Sequence, residues 1–311
     1  MRSDNEAEMS ESLTEKVVRL KQVRNAVILA HNYQLPEVQD IADFAGDSLG
    51  LSRQAAKTEA EVIVFCGVDF MAETAAILSP EKKVLMPDLN AGCPMADMIT
   101  AEDLRRMKTE HPGARVVCYV NSTADVKAES DVCCTSANAV RVVESFDKTE
   151  EIIFVPDKYL GAYVQEETGR KLLLWPGYCP THVRIMPKHI ERLKSSHPHA
   201  VTMVHPECTP DVRRMADQVL STGGMCRFAA SSQAGEFIVG TETGIIHRLR
   251  KENPGRHFYP AAESAVCPNM KRTTLEKVLW SLQDMRHVVT VQEKTAVRAR
   301  CAIERMLEIT G

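Results

Sequence analysis

AESAVCPNMK, residues 262–271, sets Cys267 directly before a proline among small residues and turn formers. The same dipeptide stands in AGCPM (91–95) as Cys93-Pro94 and in GYCPT (177–181) as Cys179-Pro180. Cys93 and Cys179 are 86 residues apart, and Cys179 and Cys267 are 88 apart, so the search for an internal repeat comes before any assignment of elements.

Upstream of each dipeptide the same order of segments recurs. NAVILAHNY (25–33), ARVVCYVN (114–121) and AVTMVHPE (200–207) are short apolar runs that end in polar residues spaced two apart: His31 and Tyr33, Tyr119 and Asn121, His205 and Glu207. Runs of this kind suit strands buried on both faces of a parallel sheet. Two helix-like segments follow each run. A second apolar run comes next (EVIVFCG, 61–67; EIIFVPD, 151–157; EFIVGTE, 236–242), and a third lies just before the cysteine (KVLMPD, KLLLWP, RHFYPA). His31 to Tyr119 and Ser48 to Ser136 are both 88 residues, and Tyr119 to His205 and Ser136 to Thr222 are both 86.

These spacings predict an α/β protein of three homologous three-layer α/β/α domains, with mostly parallel sheets, arranged around a pseudo-threefold axis. The expected divisions are an N-terminal segment (1–24), repeats at 25–112, 113–198 and 199–288, and a C-terminal helix (289–311) docking on repeat 1. Pro and Gly interrupt helical patterns at His111-Pro112-Gly113 and His197-Pro198-His199, which places the boundaries.

Composition narrows the partners. A chain of 311 residues with net charge -4 has no basic excess to attract nucleic acid or an anionic membrane. The opening MRSDNEAEMSESLTEK is polar and acidic, frayed before a first helix near Leu13 to Leu20, and no apolar run reaches the roughly 20 residues of a membrane span. A soluble cytoplasmic protein acting on small molecules is expected, with no nucleic-acid or membrane partner. The ten cysteines include no C-x-x-C pair, so metal ligation or catalysis is a better reading than disulfides, and any metal must draw ligands from distant segments.

Functional groups of parallel α/β sheets gather beyond the carboxyl ends of the strands. With those ends turned to a common axis, Cys93, Cys179 and Cys267 meet in one pocket as an incomplete tetrahedral sulfur site for iron–sulfur or zinc, and the open position can act as a Lewis acid. Ser48, Ser136 and Thr222 stand at expected helix starts. Each alone reads as an N-cap; together they aim three helix N-termini at one cavity and favour a carboxylate or phosphate substrate. His31, Tyr33, His205 and Glu207 can move protons, and Tyr119 and Asn121 suit hydrogen bonding and orientation. His182, three residues after Cys179, has no repeat partner. Cysteines 66, 118, 133, 134, 208, 226 and 301 read as buried small hydrophobes, with Cys208 beside the His205–Glu207 pair. Three functions stay open on this reading: a cluster-dependent enzyme, a zinc-dependent hydrolase or lyase, and a redox-sensing iron–sulfur binding protein.

HNYQ, GDSL, YVN, TSAN, GYCPTH, HPEC and CPNMK together resemble the quinolinate synthase family of the bacterial and archaeal NAD pathway, over nearly the whole chain. The resemblance implies one 4Fe-4S cluster held by Cys93, Cys179 and Cys267, whose open iron acts as Lewis acid. It implies a transferase that condenses iminosuccinate with dihydroxyacetone phosphate to quinolinate, with loss of phosphate and two waters. Substrate-contacting positions would be His31, Tyr33, Ser48, Tyr119, Val120, Asn121, Ser136, His182, His205, Glu207, Ser221 and Thr222. Tyr33, His31, His205 and Glu207 would be the catalytic groups among them, and an L-aspartate oxidase or aspartate dehydrogenase would be a functional partner.

Overall fold

The computed structural model describes residues 11–309, so the expectation for the first ten residues lies outside the described residues. The Ser12 hydroxyl accepts from the Glu15 amide, and the Glu15 carboxylate accepts in return from the Ser12 amide, which fixes the start of helix α1 (Leu13–Val23). There follow β1 (Ala26–His31), α2 (Pro36–Ile41), β2 (Phe44–Gly46), α3 (Ser48–Lys57), β3 (Val62–Cys66), α4 (Asp69–Leu78) and β4 (Lys83–Leu85).

The second round runs α5 (Ala101–Glu110), β5 (Arg115–Tyr119), α6 (Ala124–Ala128), β6 (Val132–Cys134), α7 (Ala139–Glu144), β7 (Ile152–Val155), α8 (Lys158–Thr168) and β8 (Leu173–Leu174). The third runs α9 (Pro187–Ser196), β9 (Val201–Val204), α10 (Pro210–Arg213), β10 (Gln218–Val219), α11 (Thr222–Ser231), β11 (Glu236–Gly240), α12 (Ile245–Glu252) and β12 (His257–Pro260). Two helices complete the chain, α13 (Leu275–Asp284) and α14 (Glu293–Glu308).

Each round builds one four-stranded sheet, in the orders β2-β1-β3-β4, β6-β5-β7-β8 and β10-β9-β11-β12. Every pairing within the sheets is parallel. Strands β3 and β7 are buried at every residue, which is why their sequences read as unbroken apolar runs. The chain reverses direction across the sheet between its first and third strands, and a crevice opens there at the carboxyl edge. The three-domain α/β expectation therefore holds.

One expectation is corrected in all three repeats. The first helix-like segment (LPEVQDIADFAG, STADVKAESD, TPDVRRMADQ) ends early, and β2 and β10 occupy its tail in the first and third repeats while β6 follows it in the second. These edge strands have two or three residues, too few to impose an alternating pattern.

The helix after each Cys-Pro loop covers the next sheet. The Lys108 ammonium of α5 donates to the Glu129 carbonyl beyond α6, and that of Lys194 in α9 donates to the Met215 carbonyl beyond α10. Helix α13 closes the ring on the first repeat. Its Val278, Leu279 and Leu282 join Val17, Ile28 and Leu85 in one apolar cluster, and the Arg24 guanidinium donates to the carbonyls of Leu282 and Gln283. The C-terminal helix α14, expected on repeat 1, lies chiefly against α6 and β6 of repeat 2 and reaches repeat 1 along α4. Its apolar stripe, Ala299, Ala302, Ile303 and Met306, is buried. The Asn138 side chain of repeat 2 donates to the carbonyls of Met306 and Ile309, and Arg300 donates to the Ile77 carbonyl of repeat 1.

Candidate active site

One cavity lies where the carboxyl edges of the three sheets meet. His31, Tyr33, Ser48, Tyr119, Asn121, Ser136, His182, His205, Glu207 and Thr222 all line it, together with Cys93, Cys179 and Cys267. Val68, Phe70, Met71, Met95 and Met270 give it an apolar wall, and among the described residues that line it none is lysine or arginine.

The three cysteine loops are tied to one another across the repeats. The Asn269 amide donates to the Gly92 carbonyl beside Cys93 at 2.7 Å, and the Trp175 indole donates to the Met98 carbonyl at 2.8 Å. Burial raises the pKa of all three thiols, that of Cys93 to about 12. Among the described residues, the group of three ligand atoms lying within 4.8 Å of one another is Cys179, His182 and Glu207. All three thiols line the cavity, and Cys179 among them belongs to that group.

His182 is the hub of a buried hydrogen-bonded chain. Its Nδ1 lies 2.6 Å from Glu207 Oε2 and 3.1 Å from Cys179 Sγ. Because a carboxylate only accepts, the proton sits on Nδ1. Nε2 lies 2.8 Å from Thr241 Oγ1, which is 2.5 Å from Tyr33 Oη. Burial works to raise the Glu207 carboxyl, but the His182 and His205 imidazoles and the hydrogen bonds of His182 and Tyr119 together outweigh that, so the group stays below the usual carboxylate range. Burial and the Glu207 charge push the phenols of Tyr33 and Tyr119 up.

His31 and His205 occupy equivalent places in the first and third repeats and share one arrangement. In each, Nδ1 accepts from the amide two residues on, Tyr33 at 3.2 Å and Glu207 at 3.3 Å. Burial lowers both imidazoles to about 3, so they are neutral at pH 7 with the proton on Nε2. His205 Nε2 is 3.1 Å from Ser136 Oγ. Two lining acceptors, Glu207 Oε1 and Asn121 Oδ1, are buried with no hydrogen-bond partner among the described residues, and a bound ligand would satisfy them.

The match to known proteins agrees with this geometry. Residues 15–308 fit the family model described as Quinolinate synthetase A protein. The chain belongs to the quinolinate synthetase A family. It is 61% identical over 299 residues to a quinolinate synthase of Dehalococcoides mccartyi, covering 96% of this chain and 99% of that one. It is 55% identical to quinolinate synthases of Methanosarcina barkeri and Thermus thermophilus, covering 96% of this chain in both cases and 97% and 98% of theirs.

Within this member of the family the hydroxyls behave differently from simple caps. Helix α3 is capped by Asp47, whose carboxylate accepts from the Gly50 amide, and α11 by Ser221, which accepts from the Gly224 amide. Asn138 precedes α7, and its carbonyl oxygen accepts from the Thr135 amide. The neighbours Ser48, Thr222 and Ser136 are thereby left facing the cavity. Ser221 is spent on its helix, and Val120 packs into the core while its amide donates to the Cys134 carbonyl.

Sequence reasoning passed over Thr241, buried in the proton chain, and Glu242, which lines the cavity. Their signal was a polar pair at the carboxyl end of EFIVGTE. Of the remaining cysteines, 66, 118, 133, 134, 208 and 226 are buried as expected, whereas Cys301 is exposed on α14. It lies outside the buried stripe of that helix. All ten are free thiols.

Proposed function

We propose that this chain is a quinolinate synthase that condenses iminosuccinate with dihydroxyacetone phosphate, using a 4Fe-4S cluster on Cys93, Cys179 and Cys267. The observation that carries the reading is the convergence of three thiols, one from each repeat, in a cavity without a lining cation, in a chain that matches the family end to end. To ionise, three thiols that share one cavity need positive charge beside them, which a metal centre provides. A single tetrahedral zinc would hold its sulfurs about 3.8 Å apart, from Zn–S bonds of about 2.3 Å, and the metal content of the purified protein separates that reading from a cluster.

When bound, the cluster supplies an open coordination position that acts as a Lewis acid on a substrate oxygen. The chain's own residues do the rest. Ser48, Ser136 and Thr222, with the amides opening α3 and α11, hold carboxylate or phosphate oxygens. The Tyr33–Thr241–His182 chain carries a proton between the phenol and the Glu207 carboxylate, each middle group gaining one hydrogen as it gives up another. Neutral His31 and His205 have a low affinity for an added proton, which suits them to orient substrate through Nε2–H. The apolar wall excludes water from the reacting centre.

Among the described residues no helix is long and apolar enough to cross a membrane. Because iminosuccinate is the two-electron oxidation product of aspartate, an L-aspartate oxidase or aspartate dehydrogenase is the matching supplier. The test is anaerobic purification followed by incubation with both substrates. A brown protein absorbing near about 400 nm, with about four irons per chain and quinolinate as product, is the expected result. A colourless protein with one zinc ends the cluster reading, and cluster-loaded protein without product ends the enzyme reading in favour of a redox sensor.

A further inference from the structure

Glu242 is completely buried just beyond the carboxyl end of strand β11 in the third repeat, and hydrogen bonds occupy both of its oxygens. Oε1 accepts from the Cys267 amide at 3.1 Å and lies 3.0 Å from the Lys271 ammonium. Oε2 accepts from the Gly244 amide at 2.7 Å and from Lys271 at 3.2 Å. Lys271 also donates to the backbone carbonyl of Tyr33. One buried carboxylate and one lysine thus join the loop of the third cysteine to the loop that carries the phenol, across the boundary between the third and first repeats.

Two further observations mark this junction as built. A methyl group on Gly244 would stand 2.6 Å from Lys271 Nζ, 2.8 Å from Glu242 Oε2 and 2.8 Å from the Tyr33 carbonyl carbon, so only glycine lets the segments meet. The buried Gln39 amide bridges the same segments, donating to the carbonyls of Gln34 and Gly244 at 2.9 Å each. The corresponding strand-end positions do other work in the other repeats. Asp157 caps α8 through the Tyr159 and Leu160 amides, and Gly67 has no side chain.

We propose that Glu242 and Lys271 are positioning residues that clamp the Cys267 loop to the Tyr33 loop, fixing the third thiol and the proton-carrying phenol in one frame. What the thiol holds rests on the quinolinate synthase reading; the clamp is a statement about the protein residues themselves. A misplacement of about 1 Å between reacting groups costs on the order of a hundredfold in rate, which is the advantage of such a frame.

The test uses the full-length protein as isolated under argon. Its readouts are iron per chain, the rate at which a chelator removes that iron, steady-state turnover, and iodoacetamide labelling of individual cysteines by mass spectrometry. Glu242→Ala is expected to speed iron removal at least fivefold. Glu242→Gln keeps an acceptor for the Cys267 amide, so it is expected to hold iron like the wild type while turnover falls about tenfold with little change in KM. Gly244→Ala removes no charge and is expected to reproduce the Glu242→Ala phenotype. Labelling is expected to rise at Cys267 in both alanine variants and to stay silent at the buried Cys66.

Wild-type iron release, turnover and Cys267 labelling in Glu242→Ala would overturn the clamp. A parallel rise at Cys66 in both alanine variants would overturn it as well, by making the junction a general stability element. Wild-type protein that holds no iron would overturn the cluster reading instead, and Cys267 labelling would still decide the clamp.

Discussion

Thr241 Oγ1 stands 2.5 Å from Tyr33 Oη, the closest hydrogen-bond partner of that phenol among the described residues. The direct distance from that oxygen to His182 Nε2 is 3.4 Å, against 2.8 Å from Thr241. The threonine hydroxyl is therefore the conductor of the chain. Thr241→Val keeps the shape and removes the oxygen, so kcat should fall about a hundredfold with KM nearly unchanged, within the range for a lost acid–base group. Thr241→Ser should restore most of the rate. Steady-state kinetics on iron-matched samples check this, and a valine variant with wild-type kcat would remove Thr241 from the chain.

Stability should fall with acid over an unusual range. His31 and His205 have folded pKa values of about 3, against about 6.5 in an unfolded chain. Between those values the unfolded state binds more protons. Their contribution is complete above about pH 6.5 and is lost as pH falls toward 3, by about 1.4 kcal/mol per pH unit for each proton. The depressed Glu207 carboxyl adds loss in the same direction below about pH 4.3. Urea unfolding at pH 7, 6 and 5 measures the slope. His205→Asn should flatten it by one proton, and an unchanged slope would mean that His205 is charged in the native protein.

His205 Nε2–H donates to Ser136 Oγ, which leaves the serine proton free to point at a substrate oxygen. Ser136→Ala should raise KM for one substrate about tenfold, the worth of one hydrogen bond to a charged group, with kcat changed less. Separate KM values for the two substrates would show which one Ser136 holds.

The cysteines divide cleanly by position. Cys267 lines the cavity and should be indispensable: Cys267→Ser should lose the iron and the activity. Cys301 is exposed, and its thiol donates only to the Val297 carbonyl one turn back. Cys301→Ser should keep both, as judged by iron content and by absorbance near about 400 nm.

The architecture was legible because the same chemistry recurs at fixed spacing. Cys93, Cys179 and Cys267 align, as do Ser48, Ser136 and Thr222, and each set meets at one cavity. What does not recur could not be found that way. In the second strand-like run of each repeat, Thr241 aligns with Cys66 and Pro156, and Glu242 with Gly67 and Asp157, so the proton conductor and the clamp belong to the third repeat alone. The edge strands Phe44–Gly46 and Gln218–Val219 are held by hydrogen bonds to a neighbouring strand, a long-range cause with little local trace. The seat of α14 was likewise unreadable, because an amphipathic stripe records that a face is buried and says nothing of which surface buries it.

Helix α13 gives the molecule a direction in time. The outer face of the first sheet is covered only when residues 275–284 arrive beside α1, although that sheet is made first. Synthesis proceeds from the amino terminus, so a nascent chain carries all three cysteine loops while its first layer is still unsealed, because Cys267 precedes Leu275–Asp284. The sheet made first is thus sealed by a segment made after the third thiol.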